Sequence, residues 1–445
     1  MNYQLKKLIL FIGDILALHV ALALTLFVRY RLLSDNSGLS PYWQAHWHYF
    51  LGVFSIFILV FYINNLYSLR QITSVRRFGK QVLNSVITAS LLAILYFYIY
   101  PRVDIAPKTN LAIFGIMSLL GVWAWRYLSL RIMRSAAWRN KLAIIGNNGK
   151  INDLIADLKN NPGLGYQISL IFQDLTALPQ LTDQIISQNI RTVILIDDFQ
   201  GSTALSQALF SLLRYKINFI SYADFYEQIN QKVPVENIQQ GWFLENLAEG
   251  SKNYFDFFKK TIDWLGGLII LIISLPIWPL LALAVRCSGR GPIIFTQNRI
   301  GKNGRHFTIY KFRSMRVDNN DFSATAKNDQ RITTIGNFLR TSRLDEIPQL
   351  INILKGDMSF IGPRPERPEL SAELEKQIPF YNTRLLIKPG LTGWDQISGE
   401  YHSPSPADTL KKLQNDLYYI KHRSLYLDVT IFLKTIATVI GRKGQ

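Results

Sequence analysis

The sequence predicts an α/β membrane protein with three parts: a four-helix transmembrane bundle, a Rossmann-like α/β domain, and a monotopic α+β domain with a re-entrant membrane helix hairpin. Long uncharged apolar runs predict the transmembrane bundle, and short apolar runs at regular intervals predict the α/β domain. Basic, turn-rich motifs near the end of the chain predict the third part. We place the parts at 1–135, 136–235 and 259–445, with a linker over 236–258 and the hairpin over 262–286.

The composition favours a membrane protein with anionic partners. The chain has 445 residues and a formal net charge of +18, and 49% of the residues are hydrophobic. A basic balance suits nucleic acid, phosphorylated small molecules or anionic lipid, but long apolar runs are typical of membrane proteins and argue against nucleic acid. The single cysteine, Cys287, excludes an intramolecular disulfide framework, and the six scattered histidines lack the spacing of zinc ligands.

Four apolar segments are near the ~20 residues that a helix needs to cross a bilayer. They are roughly Leu8–Val28, Tyr49–Leu69, Val82–Tyr100 and Leu111–Leu128. Basic residues precede the first segment, join the second to the third and follow the fourth: Lys6, Lys7, Arg70, Arg76, Arg77, Lys80, Arg126, Arg131, Arg134, Arg139 and Lys141. The positive-inside rule therefore places the N-terminus and everything after the fourth span in the cytoplasm.

A fifth apolar run, Trp264–Val285, has 22 residues without a charge but does not fit a simple span. Basic residues stand on both sides of it, so both ends favour the cytoplasm. Pro276 interrupts it, and a helix over Asp263–Leu275 rises only about 20 Å, short of the ~30 Å hydrocarbon core. We predict a re-entrant hairpin that breaks at Pro276, with Ser274 satisfying freed backbone groups. A kinked full span and a buried soluble helix are the alternatives.

The middle of the chain predicts a small parallel sheet. Four short apolar runs, LAIIG, ISLIF, TVILI and INFIS, recur between Lys141 and Phe225 with helix-like stretches between them, which is typical of βαβ units. Gly146 and Gly149 follow the first run as a degenerate dinucleotide fingerprint without its three-glycine spacing. A nucleotide site and a purely structural or regulatory domain both remain open here.

The end of the chain is dense in residues suited to phosphate. Arg364 stands between Pro363 and Pro365, which fix the backbone on both sides of one guanidinium. Trp394 offers an aromatic surface for a base or sugar, although packing would explain it equally well. For the arginines, the alternative to phosphate binding is that they are solvated side chains of a proline-rich turn. The candidate substrate- and phosphate-binding residues are Lys311, Arg313, Arg340, Arg343, Arg364, Lys388 and Trp394.

The stretch RTSRLDEIPQL sets two carboxylates, Asp345 and Glu346, side by side after two arginines. Helical neighbours point about 100° apart, so the two acids are expected to act separately. Nearby arginines lower the pKa of a carboxyl, which suits a nucleophile or a metal ligand and not a general acid. Pro348 is expected to kink or restart the helix there. A surface ion-pair cluster is the alternative for any isolated Asp-Glu pair.

Three motifs carry a resemblance to a known family: KFRSMR, RTSRLDEIPQLINILKGDMSFIGPRPERPE and KPGLTGW. From about Lys259 to Ile440 the chain resembles the bacterial sugar transferases, which are monotopic polyprenyl-phosphate phosphoglycosyl transferases. The four spans and α/β domain resemble the long members that initiate exopolysaccharide, capsule or O-antigen synthesis. The resemblance implies an enzyme of the bacterial inner membrane that transfers a sugar 1-phosphate from a UDP-sugar to undecaprenyl phosphate and releases UMP. It also implies a homodimer with its catalytic domain on the cytoplasmic face, in contact with membrane lipid.

The resemblance gives roles to individual residues. Asp345 is the expected nucleophile of a covalent phosphosugar intermediate, Glu346 the expected ligand of Mg²⁺ beside it, and Arg364 a phosphate contact. Pro276 matches the proline that turns the re-entrant helix, although Leu275 separates it from Ser274 where short members have Ser-Pro. Asp395 follows Trp394 where members often have a small residue.

Two other functions are weighed against this one. A glycosyltransferase of a different fold usually carries an Asp-x-Asp metal motif, and the chain contains none. A catalytically idle scaffold for polysaccharide assembly is the alternative from another class. The C-terminal stretch SLYLDVTIFLKTIATVIG is expected either to lie on the membrane as an amphipathic helix or to pack in the core.

Overall fold

The computed structural model forms two compact units, Met1–Phe225 and Tyr226–Gln445. The residues that it describes are 3–32, 39–69, 75–99, 107–135, 138–146, 150–173, 178–196, 203–247, 252–316, 329–398 and 405–440. Gly149, one of the two glycines of the degenerate fingerprint, lies outside them.

The first unit begins with four long apolar helices at the places where the sequence predicts spans. They are α1 Tyr3–Leu26, which continues as a π-helical segment Phe27–Leu32, α2 Leu39–Ile63, α3 Val75–Ile99 and α4 Pro107–Arg134. Each contains a stretch of 22 to 26 residues that is long and apolar enough to cross a membrane. The second span was predicted at Tyr49–Leu69, but α2 starts earlier and ends at Ile63, where a turn with Asn65 in the left-handed region follows.

Two basic residues counted as flanking charges are instead buried within the first unit. The Arg126 guanidinium pairs with Asp14, with Nε at 3.1 Å from Oδ1, and donates to the Leu66 carbonyl at 2.8 Å. Lys6 donates to the carbonyls of Leu164 and Gly165 at 3.2 Å each. Neither side chain is a loop charge, so the positive-inside argument rests on the remaining basic residues.

The rest of the first unit is the predicted parallel sheet, which the structure confirms. The strands are β1 Asn140–Ile145, β2 Tyr166–Phe172, β3 Thr192–Leu195 and β4 Asn218–Ser221, paired in the order β2-β1-β3-β4. The helices α5 Lys150–Asn160, α6 Leu178–Ser187, α7 Thr203–Leu212 and α8 Tyr222–Asn230 alternate with them. Apolar residues of strands and helices form one buried core that includes Ile145, Leu181, Val193 and Leu209.

The second unit holds the remaining helices and two small sheets. Its helices are α9 Gln240–Asn246, α10 Asn253–Ser274, α11 Trp278–Cys287, α12 Thr334–Thr341, α13 Leu350–Lys355, α14 Pro368–Gln377, α15 Pro406–His422 and α16 Leu425–Ile440. Its strands β5 Ile294–Ile300 and β6 His306–Phe312 form an antiparallel hairpin, and β7 Ser359–Ile361 pairs with β8 Gly390–Thr392. The predicted linker at 236–258 contains α9 and the first turns of α10.

The fifth apolar run forms α10 and α11, joined by a 3₁₀ turn at Leu275–Ile277 that contains Pro276. The helix starts about ten residues before the predicted hairpin, because the aromatic stretch from Asn253 is helical as well. Leu271 packs on the core below α13, and Leu281 packs on the core below β6 and α12. The apolar segments on both sides of the break therefore contact the same unit.

Ser274 joins the two sides of that break. Its hydroxyl donates to the Leu271 carbonyl at 2.9 Å and accepts from the Trp278 indole at 3.2 Å. The side chain is buried, as expected for a polar group with two partners in an apolar segment.

The C-terminal helix α16 packs in the core on one side, as one of the two alternatives predicts. Leu427 and Ile431 are buried against the second unit, while Tyr426, Val429 and Phe432 are exposed on the opposite side. Because both sides are apolar, α16 packs in the core on one side and presents an apolar surface on the other.

Candidate active site

Glu346 lies at the centre of a cluster of three basic side chains. Its Oε1 accepts from Lys311 Nζ at 3.0 Å and from Arg364 Nη2 at 3.2 Å, and its Oε2 accepts from Arg343 Nη1 at 3.4 Å. The glutamate is 7% exposed. Although burial opposes it, the charges of Lys311, Arg364 and Arg343 hold the pKa of Glu346 well below its usual range. Glu346 is therefore ionised at any physiological pH.

Three separate parts of the chain bring this cluster together. Lys311 comes from β6, Arg364 from the turn between β7 and α14, and Arg343 and Glu346 from the segment between α12 and α13. That segment is a 3₁₀ turn, Leu344–Gln349, with Pro348 inside it, so the proline interrupts the helix as predicted. Arg343 precedes the turn in the left-handed region, with φ of 58°, an uncommon conformation for a residue with a side chain.

The buried amide of Asn352 fixes this turn to β6. Its Nδ2 donates to the Thr308 carbonyl at 2.7 Å, and its Oδ1 accepts from the Tyr310 amide at 3.3 Å. One side chain on α13 thus satisfies two backbone groups of the strand that carries Lys311. Strand and 3₁₀ turn are held in a fixed relation, which places Lys311 against Glu346.

Asp345 differs from its neighbour in both contacts and charge. It is 7% exposed, and its Oδ1 is buried with no hydrogen-bond partner among the residues that the structure describes. Burial and the negative charge of Glu346 raise the pKa of Asp345 to about 6, against the attraction of Lys311, Arg340 and Arg343. The expectation of a low pKa is therefore wrong for Asp345, because burial outweighs the basic neighbours. The group remains mostly ionised near pH 7.

The two carboxylates are suited to bind Mg²⁺. In nucleotide sites this ion takes one or two carboxylates together with phosphate oxygens and water. Oδ1 of Asp345 has no partner within the described chain, and Oε2 of Glu346 accepts a single long bond. Among the described residues there is no cluster of three or more His, Cys, Asp or Glu side chains that would form an all-protein metal site. An ion that shares its ligands with a phosphorylated substrate therefore fits this pair.

Three of the predicted binding residues lie outside the cluster. Arg313 follows the end of β6, is buried, and donates to the carbonyls of Val285 and Gly289 at the end of α11, at 2.9 and 2.6 Å. The strand ends at Phe312, so the alternation that would place Arg313 beside Lys311 no longer holds. These contacts assign Arg313 to the packing of α11.

Trp394 and Lys388 are also held apart from Glu346. The Trp394 indole donates to the Gln231 carbonyl at 3.1 Å, and its ring lies 5.5 Å from that of Tyr418. Lys388 precedes β8; burial lowers its pKa, with the like charge of Lys260 acting in the same direction. The contacts of Trp394 favour the packing alternative. Arg340 lies close enough to Asp345 to lower the pKa of that carboxyl, so it belongs to the site.

The structure adds two arginines that the sequence analysis did not select. Arg299 of β5 donates to the carbonyl of Pro365, and Arg384 donates to the carbonyl of Arg364, each at 3.0 Å. Both lie outside the quoted motifs, and nothing in their spacing indicates a contact with the proline-flanked turn. Only the fold brings them to it.

The sequence matches a model of the bacterial sugar transferase family over residues 254–442. This region contains the whole Glu346 cluster, Asp345 and the α10–α11 break. The residues before it, which form the first unit and α9, lie outside the matched region.

Several curated proteins are similar to this chain. It is 41% identical over 192 residues to a UDP-N-acetylgalactosamine-undecaprenyl-phosphate N-acetylgalactosaminephosphotransferase of Aeromonas hydrophila, an alignment that covers 43% of this chain and 45% of the relative. It is 40% identical over 255 residues to a UDP-glucose:undecaprenyl-phosphate glucose-1-phosphate transferase of Xanthomonas campestris pv. campestris, covering 54% of this chain and 51% of the relative. The chain thus spans about half the length of these two relatives.

A third relative is matched over nearly all of its length. The exopolysaccharide production protein PSS of Rhizobium leguminosarum bv. phaseoli is 38% identical over 192 residues, which are 41% of this chain and 96% of the relative. The motifs, the family model and this nearly complete match agree. The chain belongs to the bacterial sugar transferase family.

Proposed function

We propose that this protein transfers a sugar 1-phosphate from a UDP-sugar to undecaprenyl phosphate, with release of UMP, as an early membrane step in the synthesis of an exopolysaccharide, capsule or O-antigen. The observation that carries the proposal is the pairing of Asp345, which has an oxygen without a partner in the described chain, with Glu346, whose carboxylate orders three basic side chains. The names of the Aeromonas and Xanthomonas relatives support the same reaction class.

The proposed reaction has two steps. A carboxylate oxygen of Asp345 attacks the phosphorus that carries the sugar; the bond from this phosphorus to the bridging oxygen breaks, and UMP leaves. A phosphate oxygen of undecaprenyl phosphate then attacks the same phosphorus, and the bond to Asp345 breaks, which restores the carboxylate. Lys311, Arg343 and Arg364 lie beside the attacking group, where positive charge stabilises the phosphate oxygens.

Mg²⁺ is the cofactor that fits this step. Glu346 and the unpartnered oxygen of Asp345 would hold it, and when bound it supplies positive charge to the leaving diphosphate oxygens. Glu346 itself needs no change of protonation, because its pKa lies far below the working range. Its negative charge also keeps Lys311, Arg343 and Arg364 from repelling one another before the substrate arrives.

The apolar segments support a reaction at the inner membrane, with the second unit on the cytoplasmic face. The segments on both sides of Pro276 pack on the second unit, which favours the re-entrant hairpin over a kinked full span. The remaining basic flanks of the four spans favour the same side. This arrangement sets the Glu346 cluster at headgroup level, where a lipid phosphate and a nucleotide from the cytoplasm can meet.

The test is UMP release by the purified protein with undecaprenyl phosphate, Mg²⁺ and a panel of UDP-sugars. We expect release with at least one UDP-sugar, and a loss of about 10⁴-fold or more in Asp345→Asn, because an amide oxygen is a poor nucleophile. Asp153→Asn, on the exposed face of α5, is the matched control and should retain full activity. Equal release by Asp345→Asn would remove Asp345 from the nucleophilic role.

No UMP release from a broad panel, by protein that is folded and inserted in membrane, would instead favour the catalytically idle scaffold. A covalent intermediate gives a second readout, since radiolabelled phosphosugar should stay with the wild-type protein when the acceptor lipid is omitted. Asp345→Asn should retain no label.

A further inference from the structure

The turn that carries Arg364 is held almost entirely through its carbonyl oxygens. Four successive carbonyls each accept a hydrogen bond: Pro363 from the Gly390 amide at 2.9 Å, Arg364 from Arg384 at 3.0 Å, Pro365 from Arg299 at 3.0 Å, and Glu366 from the Ile300 amide at 3.1 Å. Proline has no N–H, so this segment has few donors of its own. Its conformation therefore depends on donors that other elements supply.

Arg384 is built into the interior beneath this turn. It is 5% exposed; its Nε lies 3.0 Å from Asp416 Oδ2, and its Nη1 donates to the Tyr381 hydroxyl at 2.8 Å. Asp416 and Tyr381 already provide an ion pair and a hydrogen bond for the buried charge. The third nitrogen, Nη2, lies 2.8 Å from Asp416 Oδ2 and also donates to the carbonyl of Arg364, the residue whose side chain contacts Glu346.

Arg299 is a second guanidinium that donates to a carbonyl of this turn while another of its nitrogens is held by a side chain. It extends from β5, donates to Pro365 through Nη1, and is fixed by a 2.6 Å bond from Nη2 to Gln297 Oε1. Glu366 lies between the two guanidiniums, at 4.0 Å from Arg299 and 3.9 Å from Arg384. One carboxylate thus partly balances both charges under the turn.

Arg364 combines a fixed backbone with an accessible side chain. Its side chain is 45% exposed, although its carbonyl and those on both sides of it are bonded. Holding the backbone in place limits the positions that the guanidinium reaches, and it lowers the entropy lost when a phosphate binds.

From these contacts we infer that Arg299 and Arg384, the loop-anchoring arginines, are positioning residues that hold Arg364 in register with Glu346. This inference rests on the proposed function for its catalytic consequence. The anchoring itself is a property of the fold, which is measurable without turnover.

The experiment compares Arg299→Lys with Arg305→Lys in the full-length protein. Lysine keeps the charge but lacks the second nitrogen that bonds Gln297 while the first bonds Pro365. Arg305 is an exposed arginine of the same β5–β6 hairpin, so it is a matched control. Arg384→Lys is a second variant, and its melting temperature shows whether its buried site tolerates the change.

Hydrogen exchange of the peptide that spans 388–393 measures the anchoring from the donor side, because its Gly390 amide donates to the Pro363 carbonyl. We expect Arg299→Lys to accelerate exchange in this peptide by about tenfold while distant peptides keep wild-type rates, and Arg305→Lys to change nothing. Unchanged exchange of this peptide would overturn the inference. This measurement remains decisive if the wild-type protein releases no UMP, an outcome that would count against the proposed function alone.

A double-mutant cycle measures the catalytic consequence. Arg299→Lys should lower kcat/KM for the UDP-sugar by about tenfold in the wild-type background, but by less than about twofold in the Arg364→Ala background, because Arg299 acts through Arg364. An equal loss in both backgrounds would show that Arg299 supports the fold in general, and it would overturn the positioning role.

Discussion

At the scale of single residues, the two adjacent carboxylates have opposite surroundings. Glu346 accepts from Lys311, Arg364 and Arg343, while Oδ1 of Asp345 is buried without a partner in the described chain. An unpartnered buried carboxylate oxygen is costly unless something else uses it. We attribute that cost to function, because a substrate or a metal ion is the partner that completes the site.

Replacing Glu346 by glutamine removes the negative charge of the side chain and keeps its size. The variant leaves three basic side chains close together without their shared anion, so we expect UMP release to fall by about 100-fold or more. The measurement is kcat/KM with the UDP-sugar that supports release. Glu369→Gln, on the exposed side of α14, is the control and should behave as wild type. A Glu346→Gln variant within twofold of wild type would contradict the role given to this charge.

The sequence identified most of the residues of the site, but not all of their neighbours. Lys311, Arg340, Arg343 and Arg364 were selected from their motifs, and the structure brings them to the carboxylates. Arg313 and Trp394 were selected by the same reasoning and lie elsewhere. The sequence around a basic residue looks the same whether its side chain binds a ligand or packs on the end of a helix. Only the tertiary fold distinguishes the two cases.

At the scale of elements, β6 and α13 are joined by a single buried amide. Asn352→Ala leaves the Thr308 carbonyl and the Tyr310 amide without their partner, so we expect the second unit to lose about 2 kcal/mol of unfolding free energy. Chemical denaturation in a mild detergent measures this. Asn337→Ala, on the exposed side of α12, should stay within about 0.5 kcal/mol of wild type. Equal effects from both substitutions would remove the special role of Asn352.

The path of α10 and α11 through the membrane is testable with the only cysteine of the chain. Cys287 is exposed at the end of α11, so a re-entrant hairpin places it on the cytoplasmic side, whereas a kinked full span places it on the other. An impermeant maleimide should label inside-out vesicles and leave right-side-out vesicles unlabelled. Asp153→Cys in a Cys287→Ser background is the control, because exposed residue 153 precedes α10 and its side of the membrane does not depend on the path of α10 and α11.

Pro276→Ala tests whether the break itself sets this path. With Pro279→Ala added, because a second proline would still interrupt the helix, α10 and α11 can form a continuous helix of 35 residues, which is about 52 Å long and exceeds the hydrocarbon core. We expect labelling of Cys287 to appear in right-side-out vesicles and UMP release to fall sharply. Wild-type labelling with wild-type activity would show that Pro276 does not determine the topology.

At the scale of the whole molecule, the chain separates into two compact units. The second unit, Tyr226–Gln445, contains the Glu346 cluster and all of the family match. The Rhizobium relative aligns over 96% of its length with 41% of this chain, so a protein of that size leaves no room for a counterpart of the first unit. The first unit is therefore not expected to supply catalytic groups.

A fragment that starts at Tyr226 should retain UMP release, within about tenfold of the full chain, once it is shown to fold and to bind membrane. Asp345→Asn in the same fragment is the control for background release. Complete loss of activity in a folded, membrane-bound fragment would show that catalysis requires the first unit.

Large-scale features were predictable where one physical rule dominates. Bilayer length and hydrophobicity identified the four long apolar helices, and strand spacing identified the parallel sheet. Boundaries were less predictable: α2 ends six residues before the predicted span, and α10 begins well before the predicted hairpin. Hydropathy marks where a segment is apolar, whereas backbone hydrogen bonds decide where a helix begins and ends.

The exposed apolar surface of α10 and α11 has a practical consequence for purification. Tyr254, Phe257, Ile273 and Leu280 are each more than 60% exposed in the second unit. In plain buffer such a surface would drive molecules to associate with one another. Removing the four N-terminal helices should therefore not yield an enzyme that can be handled like a cytosolic one, and the shortened protein should still sediment with membranes and require detergent for extraction.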